Sequence, residues 1–192
     1  MTEFFSISNE LQVEAVKRAR EQERIYGHNS GFFRLEVEKE NTVTGVLGEL
    51  VAREVLKLSL AATTEQVIVE LTDIGSKYDL EIHGVENLIG AHVKTGMWRQ
   101  WPRLEMPFGI HADQKVQETS VPLILVSLLR PSSGFPNEAR VEGYVWPTFL
   151  ATCRVISRGE RFPITNVISR TNNILTFLSD YLPIQNLGNF EF

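Results

Sequence analysis

One cysteine in 192 residues, no long apolar run and no surplus of positive charge say first what this chain is not. A lone Cys153 cannot form an internal disulfide, a usage that suits a reducing cytoplasm. The longest apolar stretch, 121-VPLILVSLL-129, is too short to span a bilayer, so no membrane association is expected. The first twenty residues, MTEFFSISNELQVEAVKRAR, lack the basic start, apolar centre and cleavage site of a signal peptide. A net charge of −5 argues against coating nucleic acid by overall basicity, while leaving room for local basic patches. No Walker loop, dinucleotide glycine fingerprint, G-x-S-x-G or zinc-type ligand spacing occurs, and no internal repeat interrupts the chain.

What is there is an ordinary globular composition, 43% apolar and 22% charged, long enough to bury a core. One domain over residues 1–192 is expected, helical up to about residue 60. Leu11, Ala15, Val16 and Ala19 recur at helical spacing and predict a helix over 8–26, capped by Ser8 or Asn9 and ended by Gly27. A second helix is expected over 43–58. There Val46, Leu47, Leu50, Val51, Val55 and Leu58 fill one arc, and Gly45, Gly48 and Ala52 form a strip of small residues. The period then changes to two. Strands are expected at 66–71, 78–83 and 88–95, the last two joined by a turn at Gly84 and Asn87. Residues 97–120 read as loop, 121–129 as a central strand covered on both faces, and 140–146 as another strand. Short helices are expected at 148–156, opened by Pro147, and at 173–182. The order predicts an α/β fold with a central mixed β-sheet flanked by helices.

The chemistry concentrates in 78-YDLEIHGVENLIGAHVKTG-96. Alternation along a strand puts Asp79, Glu81 and His83 on one side, and Gly90, His92 and Lys94 on one side of its partner. Apolar neighbours claim the core face, so the polar members face a cleft or solvent together. Antiparallel pairing brings Asp79 next to His92 or Lys94, with the register left open.

A helix carrying 45-GVLGE-49, then a strand with aspartate in a YDL context, then a strand ending in V-K-T-G, resembles the PD-(D/E)XK nuclease superfamily over residues 43 to 96, and more weakly to 156. The resemblance implies a restriction-endonuclease-like fold with a catalytic-type core over 43–156, and hydrolysis of DNA phosphodiester bonds. Asp79 would be the metal-binding aspartate, Lys94 the lysine that positions water and stabilises phosphate charge, and Glu49 the extra helical acid. His92 stands where the family usually has Glu or Asp. The implied cofactor is a divalent metal, Mg²⁺ first because it takes hard oxygen ligands, with Mn²⁺ admitted by His92. Glu81, on the face of Asp79, is an alternative source of the missing carboxylate. Cutting both strands of a duplex implies a homodimer.

Each of these residues also has an ordinary alternative. Asp79 can be a solvated strand residue and Lys94 an edge charge. Glu49 can pair with Arg53 at i,i+4, and His92 can be a plain hydrogen-bonding histidine. In 96-GMWRQWPRLEMPFG-109, Trp98, Arg99, Gln100 and Arg103 are candidates for gripping DNA backbone or reading bases. The alternative is that Trp98 and Trp101 pack under the loop. Lys17, Arg18, Arg20 and Arg24 read as the solvated face of the first helix. A non-catalytic DNA- or protein-binding module with the same fold is the competing function.

Overall fold

The computed structural model describes residues 3–27, 36–61, 67–84, 88–112 and 120–189. Strand β1 (Glu3–Ser6) precedes helices α1 (Asn9–Gly27) and α2 (Glu36–Ala61). Then come β2 (Ile68–Leu71), β3 (Leu80–His83), β4 (Leu88–Trp98) and β5 (Pro107–His111). They are followed by β6 (Leu123–Leu129), β7 (Glu138–Val145), the single turn α3 (Pro147–Leu150), β8 (Val155–Ile156) and β9 (Asn173–Phe177).

Six strands form one sheet in the order β1-β7-β6-β4-β3-β2. Every neighbouring pair is antiparallel except β4 and β6, which run parallel. The α/β expectation with a mixed central sheet therefore holds. The middle strand β6 is buried along almost its whole length, as its unbroken apolar run requires. Its alternate side chains enter two separate cores. Ile124, Val126 and Leu128 join Leu47, Leu50 and Val51 of α2 on one face. Leu123 and Leu125 join Ile110, Ile174 and Tyr181 on the other. Each such leucine, isoleucine or valine contributes about 1.5–3 kcal/mol by leaving water.

The second face is covered by a small antiparallel sheet, β5-β9-β8, with Leu150 of α3 and Leu178 joining the same core. Three expectations are corrected there. Residues 97–120 are not all loop, because β5 lies within them; Pro107 is tolerated as its first residue, where a missing N–H costs least. The 148–156 helix stops after one turn, and its end is β8. The 173–182 helix is a strand followed by a 3₁₀ turn at Leu178–Asp180. Strand β9 pairs on both sides, with β5 and β8, so the sheet takes the backbone groups a helix would have satisfied.

Helix α1 starts where expected, the Ser8 hydroxyl accepting the Leu11 N–H at 3.3 Å. Helix α2 extends beyond both expected ends. On it Leu58 is 66% exposed, while Ala52 and Leu56 are fully buried, so the apolar arc is rotated from the one expected. The turn residues 85–87, and Gln66, lie outside the described residues. Among the described residues no helix is long and apolar enough to cross a membrane.

Candidate active site

Strand β4 has two halves. Residues 88–91 pair with β3 on one edge, and residues 92–98 pair with β6 on the other. Past Ala91 no described strand pairs with the β3 edge of β4. Asp79, immediately before β3, sits at that split. Its N–H donates to the Ala91 carbonyl at 3.0 Å, the last backbone link between the strands. Its carboxylate Oδ2 then accepts the Val93 N–H at 2.8 Å. A side chain thus replaces the backbone acceptor that β3 no longer offers. A buried N–H left without a partner costs about 1–3 kcal/mol, so Asp79 is fixed by the same fault in the sheet that opens the site.

Helix α2 lies across this point. Gly48 allows the approach: a side chain there would overlap Thr95 of β4. Glu49, the next residue, reaches a pocket of about 350 Å³ lined by Thr44, Asp79, Val93, Lys94 and Met97 among others. Burial, with the negative charge of Asp79 as a second cause, pushes the Glu49 carboxyl up to about 7, while Arg18 and Lys94 oppose the rise. Burial lowers the Lys94 ammonium, and Asp79 and Glu49 oppose the fall. Two acids and one amine therefore share one pocket, and the Asp79 charge acts on both Glu49 and Lys94.

Glu49 does not pair with Arg53. That guanidinium bonds Glu14 of α1 at 3.1 Å and Glu54 at 2.7 Å. His92 lies beside Asp79 without lining the pocket. Its Nδ1 is 3.7 Å from Asp79 Oδ2, too far for a hydrogen bond. Its ring stands edge-on to Tyr78 at 5.9 Å, and its buried Nε2 has no hydrogen-bond partner among the described residues. Glu81 goes elsewhere, into a cavity of about 590 Å³ with Tyr78, Leu88 and Val121, its carboxylate 3.6 Å from His83 Nε2. Among the described residues no group of three or more His, Cys, Asp or Glu is arranged to hold a metal ion. Asp79 and Glu49 are the two hard-oxygen donors that meet.

Of the loop candidates, Arg99, Gln100 and Arg103 are exposed just past the end of β4. Trp98 is part of β4 itself, with its indole N–H buried and unpartnered. Trp101 packs edge-on against Phe4 at 5.3 Å, under the Arg140 guanidinium. Its role is the packing alternative.

Arg18 is the residue the sequence reading missed. It does not lie on a solvated face: its guanidinium donates to the Thr72 carbonyl, and its charge reaches Glu49. The signal was available, because Arg18 stands one helical turn from the buried Ala15. Comparison with known proteins gives no match: no family model, no curated protein and no solved structure matches this chain.

Proposed function

We propose that the chain is a metal-dependent endodeoxyribonuclease that hydrolyses DNA phosphodiester bonds. The observation that supports this is the meeting of Glu49, Asp79 and Lys94, from three different elements, in one pocket at the split between β3 and β4. Two carboxylates suit Mg²⁺ or Mn²⁺, which keep several waters and take substrate phosphate as further ligands, so a full protein cage is not needed. When bound, the ion would supply charge neutralisation at the phosphate and a more acidic water.

The chain's own residues do the rest. Asp79 is held in one orientation by the Val93 N–H and keeps its second oxygen available as a ligand. Glu49 supplies the other donor, and a carboxyl raised to about 7 ionises readily once positive charge arrives beside it. Lys94 stabilises charge on the phosphate from the wall of the same pocket. Its lowered pKa suits proton exchange with an attacking water. DNA as partner and a homodimer that cuts both strands belong to this reading.

One observation favours the second reading, a binding module of the same fold without catalysis. The histidine at the position of the family's second acid does not line the pocket, so the site has one carboxylate fewer on β4. Supercoiled plasmid incubated with Mg²⁺ or Mn²⁺ separates the two. Metal-dependent nicking that is lost in Lys94→Ala supports the nuclease. No cleavage with either metal, or equal cleavage by Lys94→Ala, overturns it.

A further inference from the structure

A second pocket adjoins the polar one. It also measures about 350 Å³, and Met97 lines both. Its character is opposite: Trp98, Met106, Phe108, Phe162 and Val167 make it aromatic and apolar. Two glycines shape it. A Cβ on Gly96 would lie 2.9 Å from Trp98 Nε1, and one on Gly109 would lie 2.7 Å from the Phe162 ring. The bare backbone at both positions leaves flat surfaces against rings. The Trp98 N–H beside Gly96 is a buried donor with no partner among the described residues.

One wall belongs to the arm between β8 and β9, which supplies Phe162, Thr165 and Val167. The arm is tied across itself by Gly159 N–H to Ser169 O at 2.8 Å, Ser169 N–H to Glu160 O at 2.8 Å, and Phe162 N–H to Val167 O at 2.9 Å. Its charge departs from that of the chain. Where the whole protein carries −5, the stretch 154–170 has four arginines and one glutamate. All four arginines are exposed, and Glu160 forms an ion pair with Arg154 and accepts the Ser157 N–H. Arg158, Arg161 and Arg170 have no acidic partner among the described residues. At the tip Ile164 is exposed at a φ of 61°, a region β-branched residues avoid.

An aromatic pocket walled by a cationic arm, and adjoining a pocket with two carboxylates and a lysine, matches a strand of nucleic acid with a base turned out. We propose that the pocket is a base-stacking subsite. It takes one unpaired base of a DNA strand whose neighbouring phosphate lies at Glu49, Asp79 and Lys94, and the arm's free arginines meet the flanking phosphates. The preferred DNA is then unpaired at the cut, either a duplex that opens locally or a single strand. Stacking on Trp98, Phe108 or Phe162 holds the base. The place of the phosphate rests on the nuclease reading; the place of the base does not.

Equilibrium binding in EDTA tests this without any cleavage. The probes are a labelled oligothymidylate, the same length of abasic deoxyribose-phosphate chain, and a duplex. Wild-type protein is expected to bind oligothymidylate about tenfold more tightly than either other probe, the scale of one stacked base. Phe162→Ala is expected to lose that preference while still binding the abasic chain as wild type does. Equal affinity of the wild type for oligothymidylate and the abasic chain overturns the subsite. This comparison needs no variant, so a misfolded Phe162→Ala cannot mask it. A protein that prefers bases yet never cuts sinks only the nuclease reading. One that cuts but ignores bases sinks only the subsite.

Discussion

Asp79 and Glu81 lie two residues apart on one face of the same hairpin strand, yet they end in different surroundings. Asp79 occupies the point where β3 parts from β4, bonded to the Val93 N–H and close enough to Lys94 and Glu49 to shift both. Glu81 lies where the two strands are still paired, opposite Gly90, with its carboxylate 3.6 Å from His83 Nε2. Its cavity is the larger of the two, about 590 against 350 Å³. Size therefore does not mark the chemistry here. What marks it is the fault in the sheet, which frees backbone donors and lets side chains from a helix and two strands meet.

The largest expected effect tests that contrast directly. Lys94→Ala or Asp79→Ala should lower the plasmid nicking rate about 10²–10³-fold, the scale of losing one charge-stabilising group. Thermal unfolding of both variants should confirm that they stay folded. Next comes the approach of α2 to β4. Gly48→Val forces a branched side chain into Thr95 and should cost about 1–3 kcal/mol by overpacking, read as a lowered Tm. Pairing it with Thr95→Gly should recover part of the loss. If Gly48→Val alone leaves Tm unchanged, the close contact that delivers Glu49 is wrong.

A smaller effect follows from Glu49 itself. Its folded-state pKa, about 7, lies above its ordinary value of 4.5. Between those values the folded protein holds a proton that the unfolded chain has released. Wild-type stability should therefore fall as pH rises from about 4.5 through 7 in metal-free buffer. Glu49→Gln removes this contribution, so the variant should unfold with wild type near pH 4.5 and above it at pH 8. Identical pH dependence of Tm in the two proteins would contradict the buried acid. Smallest of all, Glu81→Gln should change the nicking rate less than about twofold, the behaviour of a surface substitution. A large loss there would move the second carboxylate to Glu81 and erase the contrast with Asp79.

The residues of the polar pocket were legible because period-two alternation and helical spacing are local signals. Alternation places Asp79 and Lys94 on polar strand faces, while Glu49 stands out only through the motif order that resembles the nuclease superfamily. What local pattern cannot supply is which polar residue on a shared face meets which. His92 and Glu81 were equally good candidates on alternation alone, and only the register and the split of β3 from β4 separate them from the pocket. The misread elements lie in the second sheet. Segment 173-NILTFLSDYL-182 has apolar positions that satisfy helix and strand alike, and its pairing with β5 and β8 decides between them. Strand β5 was hidden by Pro107 and Gly109, residues that signal a loop, though here the glycine makes room for the Phe162 ring. The cationic arm escaped notice because its arginines are spaced through a stretch without periodicity, and its charge matters only beside the pocket it walls.

The central claim is that Asp79 and Lys94 act as one unit around a divalent ion. The most direct measurement is the initial nicking rate in Mn²⁺ for wild type, Asp79→Ala, Lys94→Ala and the double variant. Groups that work as a unit are not additive, so the double variant should be no slower than the slower single variant. Single variants that cut at the wild-type rate, or losses that multiply in the double variant, would contradict it.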